Sequence, residues 1–144
     1  MRSKRIWAGR IITALPVLFL VFDSVIKFTH IAPVTESFAR LGYPVTIAAG
    51  IGTLELICLA VYVIPRTSIV GAVLLTGFLG GAIATHVRVG DPLFSHVLFP
   101  TYVAALIWGG LFLRDERLRA VIIPRPKTGS TFVRDFSAAA RTAG

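Results

Sequence analysis

This sequence predicts an all-α integral membrane protein, a four-helix bundle in an antiparallel up-down weave with both termini cytoplasmic. Three observations predict it. Four apolar blocks, 11–28, 45–64, 67–87 and 93–113, are each 18–21 residues long, and about 20 residues at helical rise cross the roughly 30 Å hydrocarbon core. The last two blocks contain no Asp, Glu, Lys or Arg, so neither has the polar stripe that a water-facing helix of a soluble bundle requires. Twelve of the fifteen Lys and Arg lie before the first block, between the second and third, or after the fourth; only Lys27, Arg40 and Arg88 fall on the other side of the weave. By the positive-inside rule that excess puts both ends in the cytoplasm.

Composition agrees. A hydrophobic content of 55% and a mean hydropathy of +0.78 exceed what a soluble domain of 144 residues carries. A net charge of +8 spread over a folded surface would suggest nucleic acid. Clustered at block ends, it reads instead as a topology signal and an attraction to anionic lipid heads, so the partner is the bilayer and not nucleic acid. One cysteine, Cys58, allows no intramolecular disulfide and no CxxC pair. The basic start and apolar run imitate a signal peptide, but no small-x-small site follows Phe22, so the segment is expected to stay as the first helix. The predicted organisation is a transmembrane domain over 1–120, with helices at about 7–28, 45–64, 67–88 and 93–113, and a basic, disordered cytoplasmic tail over 121–144.

The first helix should begin near Ile6 or Trp7 and bend at Pro16. At 100° per residue Gly9, Pro16, Asp23, Lys27 and His30 fall within about 60° of one another, and Asp23 and Lys27, four apart, can pair. That stripe is either a structural ion pair with a snorkelling lysine or part of a polar site. A short surface helix is expected at 34–41, before the stop and restart at Leu41-Gly42-Tyr43-Pro44. The second helix holds Glu55 at its middle, where a charged, unpaired carboxyl costs roughly 2.5–3.5 kcal/mol. It must therefore face the bundle, protonated, hydrogen-bonded or paired, on the face shared by Ala48, Leu59 and Tyr62.

Pro65-Arg66-Thr67 leaves room only for an antiparallel hairpin of helices two and three. Gly77 and Gly81 have the spacing of close-packed apolar helices. Thr85 and Arg88 continue their side of the third helix, and His86 projects roughly opposite. After the turn Val89-Gly90-Asp91-Pro92, the fourth helix carries His96, which a bend at Pro100 would tilt toward the bundle. No HxxxH, ExxH or cysteine partner accompanies either histidine, so no metal site is expected. The run RDERLRAVII reads as a short amphipathic segment on the cytoplasmic surface.

Several runs together carry a resemblance: Gly-x-Leu-Glu-Leu around Glu55, Tyr62-Val63-Ile64-Pro65-Arg66-Thr67, Leu75-Thr76-Gly77-Phe78-Leu79-Gly80-Gly81-Ala82, Thr85-His86-Val87-Arg88 and Trp108-Gly109-Gly110-Leu111. With the GRI run near the start, the Lys27-Phe28 end of helix one and Leu41-Gly42-Tyr43-Pro44, the sequence resembles the DoxX-like family over about residues 7–119. The resemblance implies a small bacterial inner-membrane protein, with Lys27, Glu55, His86 and Arg88 as signature positions. Some relatives are similar to subunits of quinone-linked oxidoreductases.

Three functions follow as expectations. The first is an accessory or binding protein that recognises a lipophilic small molecule or a membrane partner through Asp23, Lys27, Glu55, His86, Arg88 and His96. The second is a membrane subunit of an oxidoreductase complex whose partner supplies the cofactor, with quinone as its lipophile. The third is a proton-coupled transporter using Glu55, assembled as a homodimer through the Gly77 and Gly81 face. No cofactor fingerprint, nucleophile elbow or triad spacing points to catalysis by this chain alone.

Overall fold

The structure, a computed structural model, describes residues 2–123. Four helices are long and apolar enough to cross a membrane, over Ser3–Ile26, Val45–Val63, Ser68–Arg88 and Leu93–Arg114. They correspond to the four predicted passes. The first is helix α1 (Arg2–Ile26), which starts earlier than expected and keeps Pro16 buried within it. The short helix α2 (Ala32–Arg40) follows, then α3 (Ala48–Val63), α4 (Ser68–Arg88), α5 (Phe99–Arg114) and α6 (Glu116–Ile122). The long helices form a ring in which α1 touches α3 and α5, and α4 touches α3 and α5. Each neighbour runs antiparallel to the next.

The core lies along the axis of this ring, built from Leu20, Leu59, Tyr62, Leu75, Ile107 and Leu111, while large apolar side chains cover the outside. Outward-facing hydrophobes are what a bundle solvated by lipid requires. Inside, small residues set the helix spacing. A Cβ on Gly71 would fall within the backbone of Tyr62, and one on Gly110 would stand 2.5 Å from Thr13 Oγ1 and 3.0 Å from Thr13 N. These contacts seat α4 on α3 and α5 on α1. Gly77 and Gly81, the pair the spacing singled out for packing, have nothing within 4 Å of a built Cβ. Within the chain they close no helix pair, because the motif reports that a helix can be approached, not that a neighbour is there.

Each end of the bundle is tied differently. At the Arg66 end, Asp115 caps α6 by accepting from the amides of Arg117 at 2.8 Å and Leu118 at 3.4 Å. Arg117 reaches back to the Pro65 carbonyl at 2.5 Å, and Leu118 enters the core. The Arg117 hydrogen bond, then the capping amides, hold the Asp115 carboxyl below the usual carboxylate range. The expected surface segment is therefore a docked helix. It runs to Ile122, past the boundary placed at 120, and the rest of the predicted tail lies outside the described residues.

At the Lys27 end, α2 buries Val34 and Phe38 against Ala48, Ile26 and Tyr43. Gly42, at φ +73°, ends it, with the Tyr43 amide donating to Phe38 O at 2.9 Å. Gly90, at φ +70°, ends α4 in the same way, with the Asp91 amide on His86 O at 3.1 Å. The fourth pass does not begin as a regular α-helix. Leu93–Val97 is a π-helical turn ahead of α5, and the break falls just before Pro100, which supplies no N–H.

Candidate functional site

The polar side chains of the Lys27 end surround a cavity of about 650 Å³. Its floor is an ion cluster on α1 and α3. Glu55 is fully buried, with 0% of its side chain exposed, and its Oε2 accepts from Lys27 Nζ at 2.9 Å. Lys27, 13% exposed, also pairs with the Asp23 carboxylate and donates to the Asp23 carbonyl at 3.3 Å. The predicted Asp23–Lys27 pair is thus part of a triad, with one ammonium between two carboxylates. Helix α1 supplies the i, i+4 geometry. Close approach of α3 supplies the rest, since a Cβ on Gly52 would meet Ser24 O at 2.9 Å and Lys27 Cβ at 3.3 Å. The buried Ser24 hydroxyl, one turn before Lys27, is a further hydrogen-bonding partner of the Glu55 carboxyl.

The walls are apolar and rich in aromatic rings. Phe19 and Phe99 meet edge-to-face at 5.2 Å, and Phe22, Phe38 and Phe78 line the same space. Gly81 also borders it. Its missing side chain leaves volume in the cavity, a role the close-packing motif did not suggest.

The rim carries a second charged cluster. Asp91 Oδ1 accepts from Arg40 at 2.6 Å and Oδ2 pairs with His86 Nδ1 at 2.5 Å. Only 6% of the Asp91 side chain is exposed. The His86 hydrogen bond, then the Arg40 charge, hold its carboxyl below the usual aspartate range. His86 borders the cavity together with Thr85, because the cavity is wide enough to meet residues 100° apart on α4. His96 is exposed at the rim, with its ring 5.9 Å from that of His86 and its Nδ1 on Ser95 Oγ at 2.8 Å.

Of the six predicted site residues, five line the cavity: Asp23, Lys27, Glu55, His86 and His96. Arg88 does not. Its guanidinium donates to the Leu41 carbonyl and lies 5.5 Å from the centre of the Tyr43 ring, so it fastens the α2–α3 connection to α4. Arg40, Tyr43 and the phenylalanines belong to the site and were not singled out from the sequence. Arg40 had a legible signal, a cation on the sparsely charged side of the weave. Among the described residues no group of three or more His, Cys, Asp or Glu is placed to hold a metal ion.

An apolar cavity with a charged floor can hold an amphiphile: the walls take the apolar body and the ion cluster takes a polar head. Pockets of roughly 300–1,000 Å³ with apolar walls and a few convergent polar groups are the usual form of small-molecule sites. No curated protein and no solved structure matches the chain. The profile of the DoxX-like family matches residues 11–110, which take in most of each of the four apolar passes, the Lys27–Glu55 floor and the Arg88 clasp; the chain is a multi-pass membrane protein of the DoxX-like family.

Proposed function

We propose that the chain is an accessory or binding protein that holds a polar-headed lipophilic molecule in the cavity at its Lys27 end. The observation that carries this reading is the cavity itself, about 650 Å³ with apolar and aromatic walls over the Asp23–Lys27–Glu55 cluster. The distribution of basic residues supports an orientation in the bacterial inner membrane with both termini cytoplasmic, so that the cavity opens toward the outer face.

The test is native mass spectrometry of protein extracted in mild detergent with its lipids retained, beside Gly81→Leu. Gly81 borders the cavity, and a Cβ built there meets nothing within 4 Å. The parent is expected to carry a small hydrophobic molecule that the plugged variant lacks. A parent without any such adduct, or a variant that keeps it, overturns the proposal.

The aromatic walls favour one further reading, a membrane subunit of a quinone-linked oxidoreductase in which a flat ring lies against Phe19 and Phe99. Quinone in the extracted protein and a copurifying redox partner are its expected signs.

A further inference from the structure

The four passes do not keep the same neighbours along their whole length. At the Arg66 end α1 lies on α5, where a Cβ on Gly9 would stand 3.0 Å from Leu113 Cβ, and Gly71 seats α4 on α3. At the Lys27 end Gly52 holds α3 against α1 instead, and the π-helical turn that opens the fourth pass packs on α4. The bundle divides there into two pairs, α1 with α3 and α4 with the fourth pass, and the cavity is the space between them.

One edge of that space is aromatic and faces lipid. Phe19 and Phe99 close α1 onto α5 with their edge-to-face contact. One turn nearer the Lys27 end, Phe22 borders the cavity and is nevertheless 65% exposed. All three rings lie within the membrane-crossing spans, so hydrocarbon meets this edge. The rim is edged by charge instead, with Arg40 and His86 both engaging Asp91. An apolar body entering past the rim must first leave lipid for water, whereas one passing between α1 and α5 stays in apolar surroundings throughout. Its polar head can travel along Asp23, the partly exposed acid beside Phe22.

Building on the cavity's reading as an amphiphile site, we infer that its ligand is a lipophile dissolved in the bilayer, which enters sideways between α1 and the start of α5, past Phe22. The test places a thiol inside, Ala82→Cys, at a half-buried position on the cavity wall. The protein is held in phosphatidylcholine nanodiscs, so that both faces meet water, and is treated with two maleimides. One is the membrane-soluble N-(1-pyrenyl)maleimide and the other a water-soluble stilbene disulfonate maleimide. Their rates are referred to Leu18→Cys, on the lipid-facing surface, and to Glu36→Cys, exposed on α2. The parent, whose only cysteine is the buried Cys58, gives the background.

Relative to these references, Ala82→Cys is expected to react about tenfold faster with the pyrenyl reagent than with the disulfonate, whose charges an apolar passage excludes. Adding Phe22→Ala should speed the pyrenyl reaction about threefold and adding Phe22→Trp should slow it by a similar factor, as a change in an entry barrier requires. Equal reference-corrected rates, a faster disulfonate, or a pyrenyl rate indifferent to both Phe22 substitutions overturns the sideways route alone. If neither reagent reaches Ala82→Cys above the parent's background, the amphiphile reading of the cavity falls with it.

Discussion

Replacing Lys27 with Met retains much of the apolar stem and removes the ammonium shared by Asp23 and Glu55. Glu55 would then be a fully buried carboxylate without a cation. Removing one member of a buried pair costs about 3–5 kcal/mol. Lys27 is 13% and Asp23 40% exposed, so water reaches one side of the cluster and the lower end, about 3 kcal/mol, is expected. For a chain of this size that is a fall in Tm of about 6–12 °C. Glu55→Gln alone should cost less, about 1 kcal/mol, because Lys27 keeps Asp23. In the double variant Lys27→Met with Glu55→Gln no buried charge is stranded, so it should recover about 2 kcal/mol relative to the sum of the singles. Thermal unfolding of the four proteins, followed by circular dichroism in one detergent, completes the cycle. A loss below about 1 kcal/mol in Lys27→Met, or a double variant equal to the sum of the singles, would refute a buried, load-sharing triad.

Two further outcomes separate other parts of the fold. Gly71→Ala should destabilise strongly, because its Cβ would overlap the Tyr62 backbone, whereas Gly77→Ala, with open space around it, should be neutral or stabilising by up to about 1 kcal/mol; comparing their Tm values checks this, and oligomeric state in the same samples tests whether the Gly77 face serves a homodimer. The Asp91 latch has a defined pH sense: a carboxyl whose folded pKa is depressed contributes stability that is present above its unfolded value of about 3.9 and is lost as pH falls through the lower folded value. Hydrogen exchange in residues 32–40 should therefore stay slow down to about pH 4 and quicken below it, and Asp91→Asn should quicken it at neutral pH.

Legibility differed by the range of the interaction. The four passes follow from block length and charge alone, and the Asp23–Lys27 pair follows from a spacing of four on one helix. The short helix α2 was also visible in the apolar positions of 34–41. Lys27 meeting Glu55 was not, because it depends on the relative depth of α1 and α3, which Gly52 fixes by letting the backbones touch. Gly77 and Gly81 illustrate the limit of motif spacing: four residues apart states that one side of a helix is small, while the partner is a matter of the whole assembly. Gly71 was the packing glycine instead, and its signal was position. It lies shortly after a turn too tight to hold the two helices apart. The place of Arg88 at this end of the bundle is legible from the weave, but its partner is not, because a backbone carbonyl is announced by no side-chain pattern.

The seat of Gly71 on Tyr62 also bears on how the chain enters the bilayer. These residues are near neighbours in sequence, so the α3–α4 hairpin acquires its tightest contact as soon as both arms exist, before α5 has been made. Tyr62 then has its contacts with α5 still to make, its hydroxyl donating to the Ile107 carbonyl at 2.9 Å and its carbonyl accepting from Arg114 Nη2 at 3.4 Å. Lys27 has by then already emerged on α1, so the acidic side chain of α3 meets its counter-ion during insertion instead of waiting for the last helix. Biogenesis can thus proceed from a two-helix wedge that presents its buried tyrosine to the final pass.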